Sequence, residues 1–272
     1  MLISVYVMDF SRVDIASGTV GADYYLDLKS DTPVSISDFE LMNGMITSIN
    51  TIRDTPQEKE YRIIAVLTNE PNLSRYPFDR HTVSIEYEPK LENEQEMVFV
   101  IDNATSGLYS GARVPGWTLT DTGAFVTNKS YLKGEIPYSR AVFQYGVTRE
   151  ETSTVLKFFL PILLIIIVSL SSLVMKTSSR LGLNASMFLA AVLIHWRIAD
   201  SMPNVPYATF LDLFMIVTYA TLVMVLVSGI LILKFSEMED AARVDRVYYW
   251  SIRVIPPVSI ALYFLLILSL VL

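Results

Sequence analysis

The sequence predicts an extracellular all-β sandwich followed by a four-helix transmembrane bundle, and three observations carry that prediction. The chain of 272 residues is 52% hydrophobic, but its apolar residues concentrate after Glu151 in four long runs. Before Glu151, short runs of alternating, β-branched or aromatic residues are separated by turn residues, and helical periodicity is absent. Charge divides at the same point: 22 acidic against 13 basic residues up to Glu151, a net charge of −9, and 6 against 8 beyond it. An acidic domain over residues 1–153 and a membrane domain over residues 154–272 follow from these patterns.

In the first domain, strand-like runs fall at residues 3–7, 24–28, 61–67, 81–87, 97–101, 117–120, 125–128 and 140–147. Their spacing suits an antiparallel sandwich, in which alternate side chains of each strand enter the core. The acidic stretch at residues 92–96 (ENEQE) lies between two runs and reads as a solvated turn. Its carboxylates leave modulation by a divalent cation such as calcium open. Nothing else in the sequence asks for a cofactor.

A helix that crosses the hydrocarbon core needs roughly 20 mostly apolar residues. The runs at residues 158–175, 181–196, 210–233 and 250–272 meet this, which predicts helices at about 155–175, 181–200, 209–234 and 248–272. Pro161, Pro256 and Pro257 fall inside them. Membrane bundles tolerate such prolines, because neighbouring groups satisfy the freed carbonyls.

Orientation follows from the connectors. Lys176 and Arg180 stand between the first two spans, and Lys234, Arg243 and Arg246 between the last two. The connector at residues 201–209 (SMPNVPYAT) has no basic residue. Because Lys and Arg in short loops stay cytoplasmic, that connector, the acidic domain and the C-terminus are expected outside, on a multi-pass protein of the cell (inner) membrane. Residues 1–14 lack the basic start, apolar core and cleavage site of an export leader and read as a strand. The chain therefore reads as a mature or truncated form that has lost an upstream signal, and the sequence leaves open whether an upstream domain preceded it as well.

Several function classes recede. The polar domain is acidic, whereas nucleic acid needs clustered Lys and Arg. With no cysteine and only His81 and His195, the chain has no thiol nucleophile, no Cys-based metal site and no evident nucleophile-base-acid set. An enzyme is not expected.

Tyr76-Pro77-Phe78-Asp79 lies in the context NLSRYPFDRHTVSIEYE, Arg149 precedes Pro161 by twelve residues, and Arg180-Leu181, Leu189, Trp196 and residues 203–207 (PNVPY) follow in order. This series resembles the prokaryotic pentameric ligand-gated ion channels, relatives of the Cys-loop receptors whose Pro-loop lacks the flanking cysteines. The resemblance covers essentially the whole chain. It implies a homopentamer of this subunit with four identical partners, inorganic ions as the permeant species, contact with membrane lipid, and an agonist that the sequence does not name. It implies coupling between sandwich and membrane through Tyr76, Pro77, Phe78 and Asp79, through Arg149 as the partner of Asp79, and through Pro203, Pro206 and Tyr207. It also points to ligand-binding side chains at Phe39, Tyr131 and Tyr138.

Three features depart from the family. The Trp-x-Pro element is absent, leaving residues 38–44 (DFELMNG); the loop at residues 131–138 (YLKGEIPY) is short; and residues 16–18 replace an acidic residue whose nearest candidate is Asp14. The first two count against an ordinary amine-agonist pocket. Gating by an upstream domain, by protons or by divalent cations all remain open.

The second span is the least hydrophobic of the four. At about 100° per residue, Gly182, Ser186, Leu189, Leu193, Trp196 and Asp200 fall on one stripe. Small and polar residues begin it, large apolar ones occupy its middle and an acid ends it. A packing seam between helices has similar small residues, so the stripe alone admits either a seam or a pore; the resemblance implies a pore. Five Leu189 and five Leu193 side chains would then form dewetting constrictions. Asn184 and His195 face away and are expected to hydrogen-bond neighbouring spans, Arg180 to anchor the cytoplasmic interface, and Arg197 either to pair with Asp200 or to face the next subunit. The acidic domain and an Asp200 ring favour cations, while Ser178 and Ser179 stand where related cation channels carry Glu. The competing reading is a membrane-anchored receptor or assembly module with a non-conducting bundle.

Overall fold

A computed structural model describes residues 1–133, 136–150, 155–175, 179–200 and 202–271, with the backbone alone at Asp121 and Val271. Lys176, Ser178, Ser201, the 153/154 boundary, residue 272 and two residues of the 131–138 loop lie outside the described residues. Two compact units form. One contains Met1–Asn72 and Arg80–Glu150; the other contains Leu73–Asp79 and Glu151–Leu272.

The first unit is a two-sheet sandwich. The strands are β1 (Leu2–Asp14), β2 (Thr19–Lys29), β3 (Phe39–Leu41), β4 (Gly44–Asp54), β5 (Glu58–Thr68), β6 (Arg80–Pro89), β7 (Val100–Ile101), β8 (Gly107–Leu108), β9 (Trp117–Lys129) and β10 (Tyr138–Arg149). One sheet runs β4-β5-β2-β1-β7, with β8 also on β1, and the other runs β3-β6-β10-β9. Alternation explains the choice of face. In β2, Val20, Ala22, Tyr24, Leu26 and Leu28 are buried and their neighbours are not, and Tyr61, Ile63, Ala65 and Leu67 repeat the pattern in β5. They meet Val83, Ile85, Tyr87, Phe143 and Tyr145 of the other sheet in one core. At its centre the hydroxyls of Tyr24 and Tyr87 share a hydrogen bond of 2.7 Å. Burial pushes both phenols up, so they stay neutral.

Three strands of this unit differ from the sequence reading. β4 carries no clean alternation and is exposed along most of its length, so periodicity missed it; its pairing with β5 holds it. Residues 117–120 and 125–128 are one long strand, because β9 pairs with β10 through a bulge near Tyr145. The run at residues 97–101 narrows to the two-residue β7. Asp14 ends β1. Its Oδ1 accepts from the N–H groups of Ala16 and Ser17, and Oδ2 pairs with Arg12 at 2.9 Å, closing a turn that Gly18 completes at φ +64°. Residues 92–96 form a turn as expected, with the Asn93 side chain accepting from the Gln95 N–H.

Among its described residues, the second unit has four helices long and apolar enough to cross a membrane: Val155–Val174, Ser179–Ala199, Phe210–Glu237 and Ala241–Leu270. The first comprises a π-helical turn (Val155–Phe159), α1 (Leu160–Ser171) and a 3-10 turn (Ser172–Val174). Pro161 sits in the first turn of α1, where no N–H is needed. α2 (Ser179–Ala199) has mean hydropathy 1.4 against 2.0 to 2.5 for the others. α3 (Phe210–Glu237) opens on a capping box between Thr209 and Asp212. α4 (Ala241–Val271) begins seven residues earlier than the predicted start at residue 248, because the Asp240 carboxylate caps the N–H of Arg243 at 3.0 Å. Leu173, Val225 and Ile255 pack where α3 and α4 meet the end of the first span.

Several polar groups inside this unit are matched across helices. Ser169 Oγ donates to Asn184 Oδ1 (2.6 Å), and Asn184 Nδ2 donates to Ser172 Oγ and Arg180 O (both 2.8 Å). Arg180 departs from expectation. It is 1% exposed and donates through Nη2 to Ser228 Oγ and Val225 O, so it anchors α2 onto α3 instead of reaching an interface.

Candidate functional site

The segment Leu73–Asp79 is separated in sequence from the helices but groups with them in packing. The reason is a matching of backbone groups. The first N–H groups of a helix have no partner within it. At α3 the Phe210 N–H donates to Ser74 O (2.9 Å) and the Leu211 N–H to Tyr76 O (3.2 Å), while Thr209 Oγ1 accepts from the Asp212 N–H. In return the Leu73 N–H donates to Tyr207 Oη at 3.0 Å.

Aromatic rings continue the connection. Tyr76 meets Phe158 at 5.8 Å, Phe78 stacks on Phe159 at 5.6 Å and meets Phe210 at 5.8 Å, and Phe159 meets Phe214 at 4.9 Å. Phe214 in turn touches Tyr263 of α4 at 5.0 Å. Such ring pairs each contribute about 0.5–1.5 kcal/mol beyond area burial. These rings join the loop to the first span, to α3 and, through Phe214, to α4. Pro77, after a cis peptide bond, and Asp79 are buried. Pro203 and Pro206 lie in the irregular connector that ends at Tyr207 and the α3 cap. In the sandwich, the Arg149 guanidinium lies 4.3 Å from the Trp117 ring centroid, its cross-strand neighbour.

On α2, Gly182, Ser186, Leu189, Leu193 and Trp196 are all exposed, as is Asp200 in the turn after it, and the opposite side of the helix carries the buried Arg180, Asn184, Ala191 and Ile198. The exposure is large for big apolar side chains: 59% for Leu189, 52% for Leu193 and 71% for Trp196. Ser186 Oγ donates to Gly182 O, so its hydroxyl is matched within the helix. His195 turns to α3, with Nδ1 2.9 Å from Tyr219 Oη and Nε2 3.4 Å from Asp212 Oδ1. Both it and Asn184 therefore hydrogen-bond neighbouring spans.

The sequence-assigned ligand residues divide. Phe39 is buried and packs on Phe99 in the sandwich core. Tyr131 and Tyr138 stand together with ring centroids 6.2 Å apart. Beside Tyr131 is a cluster that periodicity did not reveal. Arg140 donates to Glu88, to Glu86 (2.7 Å) and to Tyr131 Oη (2.8 Å), and Tyr131 Oη donates to Glu88 (2.7 Å). The signal was present as Glu86 and Glu88, two apart on β6, facing the start of β10. Burial and the adjacent Glu88 carboxylate push the Tyr131 phenol up. Tyr131, Glu86 and Glu88 are thus engaged by the chain's own guanidinium. Among the described residues, no group of three or more His, Asp or Glu side chains is arranged to hold a metal ion.

Compared with models of known protein families and with curated proteins, the sequence matches none.

Proposed function

We propose that the chain is one subunit of a homopentameric gated ion channel of the prokaryotic pentameric ligand-gated kind, conducting cations. In this reading α2 lines the pore, Leu189 and Leu193 form its hydrophobic constrictions, and Gly182 and Ser186 line the cytoplasmic end. Trp196 and Asp200 form rings near the outer mouth, where the negative field of the acidic sandwich also concentrates cations. The segment Leu73–Asp79 and the connector through Pro203, Pro206 and Tyr207 carry the signal to the pore helix, with Asp79 and Arg149 as a charge pair that links sandwich to membrane. The sandwich and C-terminus lie outside the cell membrane.

The observation that carries this reading is the exposed face of α2. A membrane helix that turns its buried side to α1 and α3, and leaves a stripe running from small and polar to large apolar to acidic, fits a surface that meets water and copies of itself. A seam against other helices does not need the terminal acid. The Arg140 cluster supports a stimulus other than an ordinary amine agonist.

The test is reconstitution of the purified chain in liposomes, with oligomer mass measured on the same sample. Five copies and a cation-selective reversal potential under a salt gradient are expected. An oligomer of another size, or an assembled pentamer that passes no ions under any stimulus, would favour the membrane-anchored receptor or assembly module.

A further inference from the structure

We propose that the cavity at one end of the sandwich, between the β1–β2 turn and the start of β6, binds a small zwitterion of the α-amino acid class with an apolar side chain. The cavity encloses about 280 Å³. Pockets for drug-sized ligands span about 300–1,000 Å³, so this one suits a smaller molecule. Val13, Val20 and Val83 give it an apolar wall, and Val20 and Val83 belong to the sandwich core. The chain itself sets the shape. The Asn69 N–H donates to Gly18 O at 2.9 Å, and Asp14 closes the turn through the N–H groups of Ala16 and Ser17. A site held in this way asks little further ordering of the protein when a ligand enters.

Charge selects the ligand. Asp14 and His81 line the cavity but are engaged: Asp14 also pairs with Arg12, and the His81 ring packs on Trp117 with centroids 5.5 Å apart. Glu70 and Arg80 differ. Both line the cavity, both are exposed, and neither makes an ion pair among the described residues. One acid and one base therefore stand ready at the same opening, which suits a ligand with one charge of each sign. Asn69 adds direction. Its Oδ1 accepts from Ser84, whereas its Nδ2 is enclosed at the cavity wall without an acceptor. An enclosed donor left unmatched is costly, and a carboxylate matches it together with the Arg80 guanidinium. The ammonium then faces Glu70, and the side chain rests on the valines. A plain carboxylate would bring its charge to Glu70 uncompensated, and a plain amine would do the same at Arg80. The inference uses the sandwich alone and assumes neither a pentamer nor conduction, so either reading can fail without the other.

Three probes of one carbon skeleton test this by calorimetric titration of the full chain in detergent. They are L-valine, isovalerate, which lacks the amino group, and isobutylamine, which lacks the carboxylate. Valine is expected to bind about tenfold more tightly than either, the effect of one charge-assisted contact. Arg80→Gln should lower valine affinity to that of isobutylamine, and Glu70→Gln should lower it to that of isovalerate. Arg113→Gln, which removes a charge on the sandwich outside the cavity, should leave it unchanged. Because Glu70 and Arg80 are exposed, both variants are expected to keep the thermal unfolding midpoint of the parent. If Arg80→Gln does not, Glu70→Gln decides, since it must lower valine affinity. No binding of valine at millimolar concentration, equal affinity for all three probes, or valine affinity unchanged by Glu70→Gln overturns the proposal.

Discussion

Replacing Tyr207 by Phe removes one oxygen and leaves the ring in place. In the folded chain that oxygen accepts the N–H of Leu73 at 3.0 Å, and Leu73 is fully buried. A hydrogen bond contributes about 0.5–1.5 kcal/mol net, and a buried donor left unmatched costs about 1–3 kcal/mol. Tyr207 is itself 40% exposed, so water reaches part of the site. The expected cost is therefore near the low end, about 1 kcal/mol, or roughly fivefold in the equilibrium between docked and released loop. The bonds from Phe210 and Leu211 to Ser74 O and Tyr76 O remain and limit the damage to the one end. Hydrogen exchange measures this directly. Protection across residues 73–79 should fall about fivefold in Tyr207→Phe, while β2 and β5 keep theirs. Unchanged exchange in that segment would show that Tyr207 does not hold the loop and would remove the connector from the coupling path.

Three further outcomes are expected. Removing the charge of Asp79 or of Arg149 should each impair gating, by about 1.5–3 kcal/mol for a charge-assisted contact, and the double change should cost less than the sum; full additivity in a gating titration would show that they are not a pair. Leu189→Ser should ease opening, since a polar ring wets more readily; a variant as silent as its parent in flux assays would remove Leu189 from the constriction. Asp27→Asn should stabilise the sandwich at pH 7 by less than about 1 kcal/mol, because burial and then the nearby Glu60 carboxylate hold the Asp27 carboxyl above its usual range and the group is only half buried. The folded state binds that proton more tightly than the unfolded one, so the gain should fade as pH falls into the ordinary carboxylate range, where Asp27 is neutral in both states. Thermal unfolding against pH checks this, and a gain independent of pH would point to packing instead.

The parts of the fold that hydrophobicity alone dictates were legible. Alternation marked β2, β5, β6 and β10 because each has one face in the core, and length with composition marked all four spans. β4 was hidden because both of its faces meet solvent, which leaves no period to read. The start of α4 was hidden because its first turns are polar and rest on the Asp240 cap. At the candidate site, the α2 stripe could be drawn from spacing, whereas the ring contacts of Phe78 with Phe159 and Phe210 join distant segments and leave no local trace. The core position of Phe39 was hidden for a related reason. Its place in the core depends on Phe99 across the sandwich, not on its neighbours in sequence.

The central claim is that the exposed face of α2 lines an aqueous pore, and the absence of cysteine makes it directly testable. Single cysteines are placed along α2 and treated with a charged thiol reagent while current through the reconstituted protein is recorded. Modification at Ser186, Leu189 and Leu193 should block the current, and cysteines at Asn184, Ala191 and Ile198, which are buried against neighbouring helices, should leave it unchanged. Block that follows the Asn184, Ala191 and Ile198 face, or an assembled protein that carries no current at all, would contradict the claim.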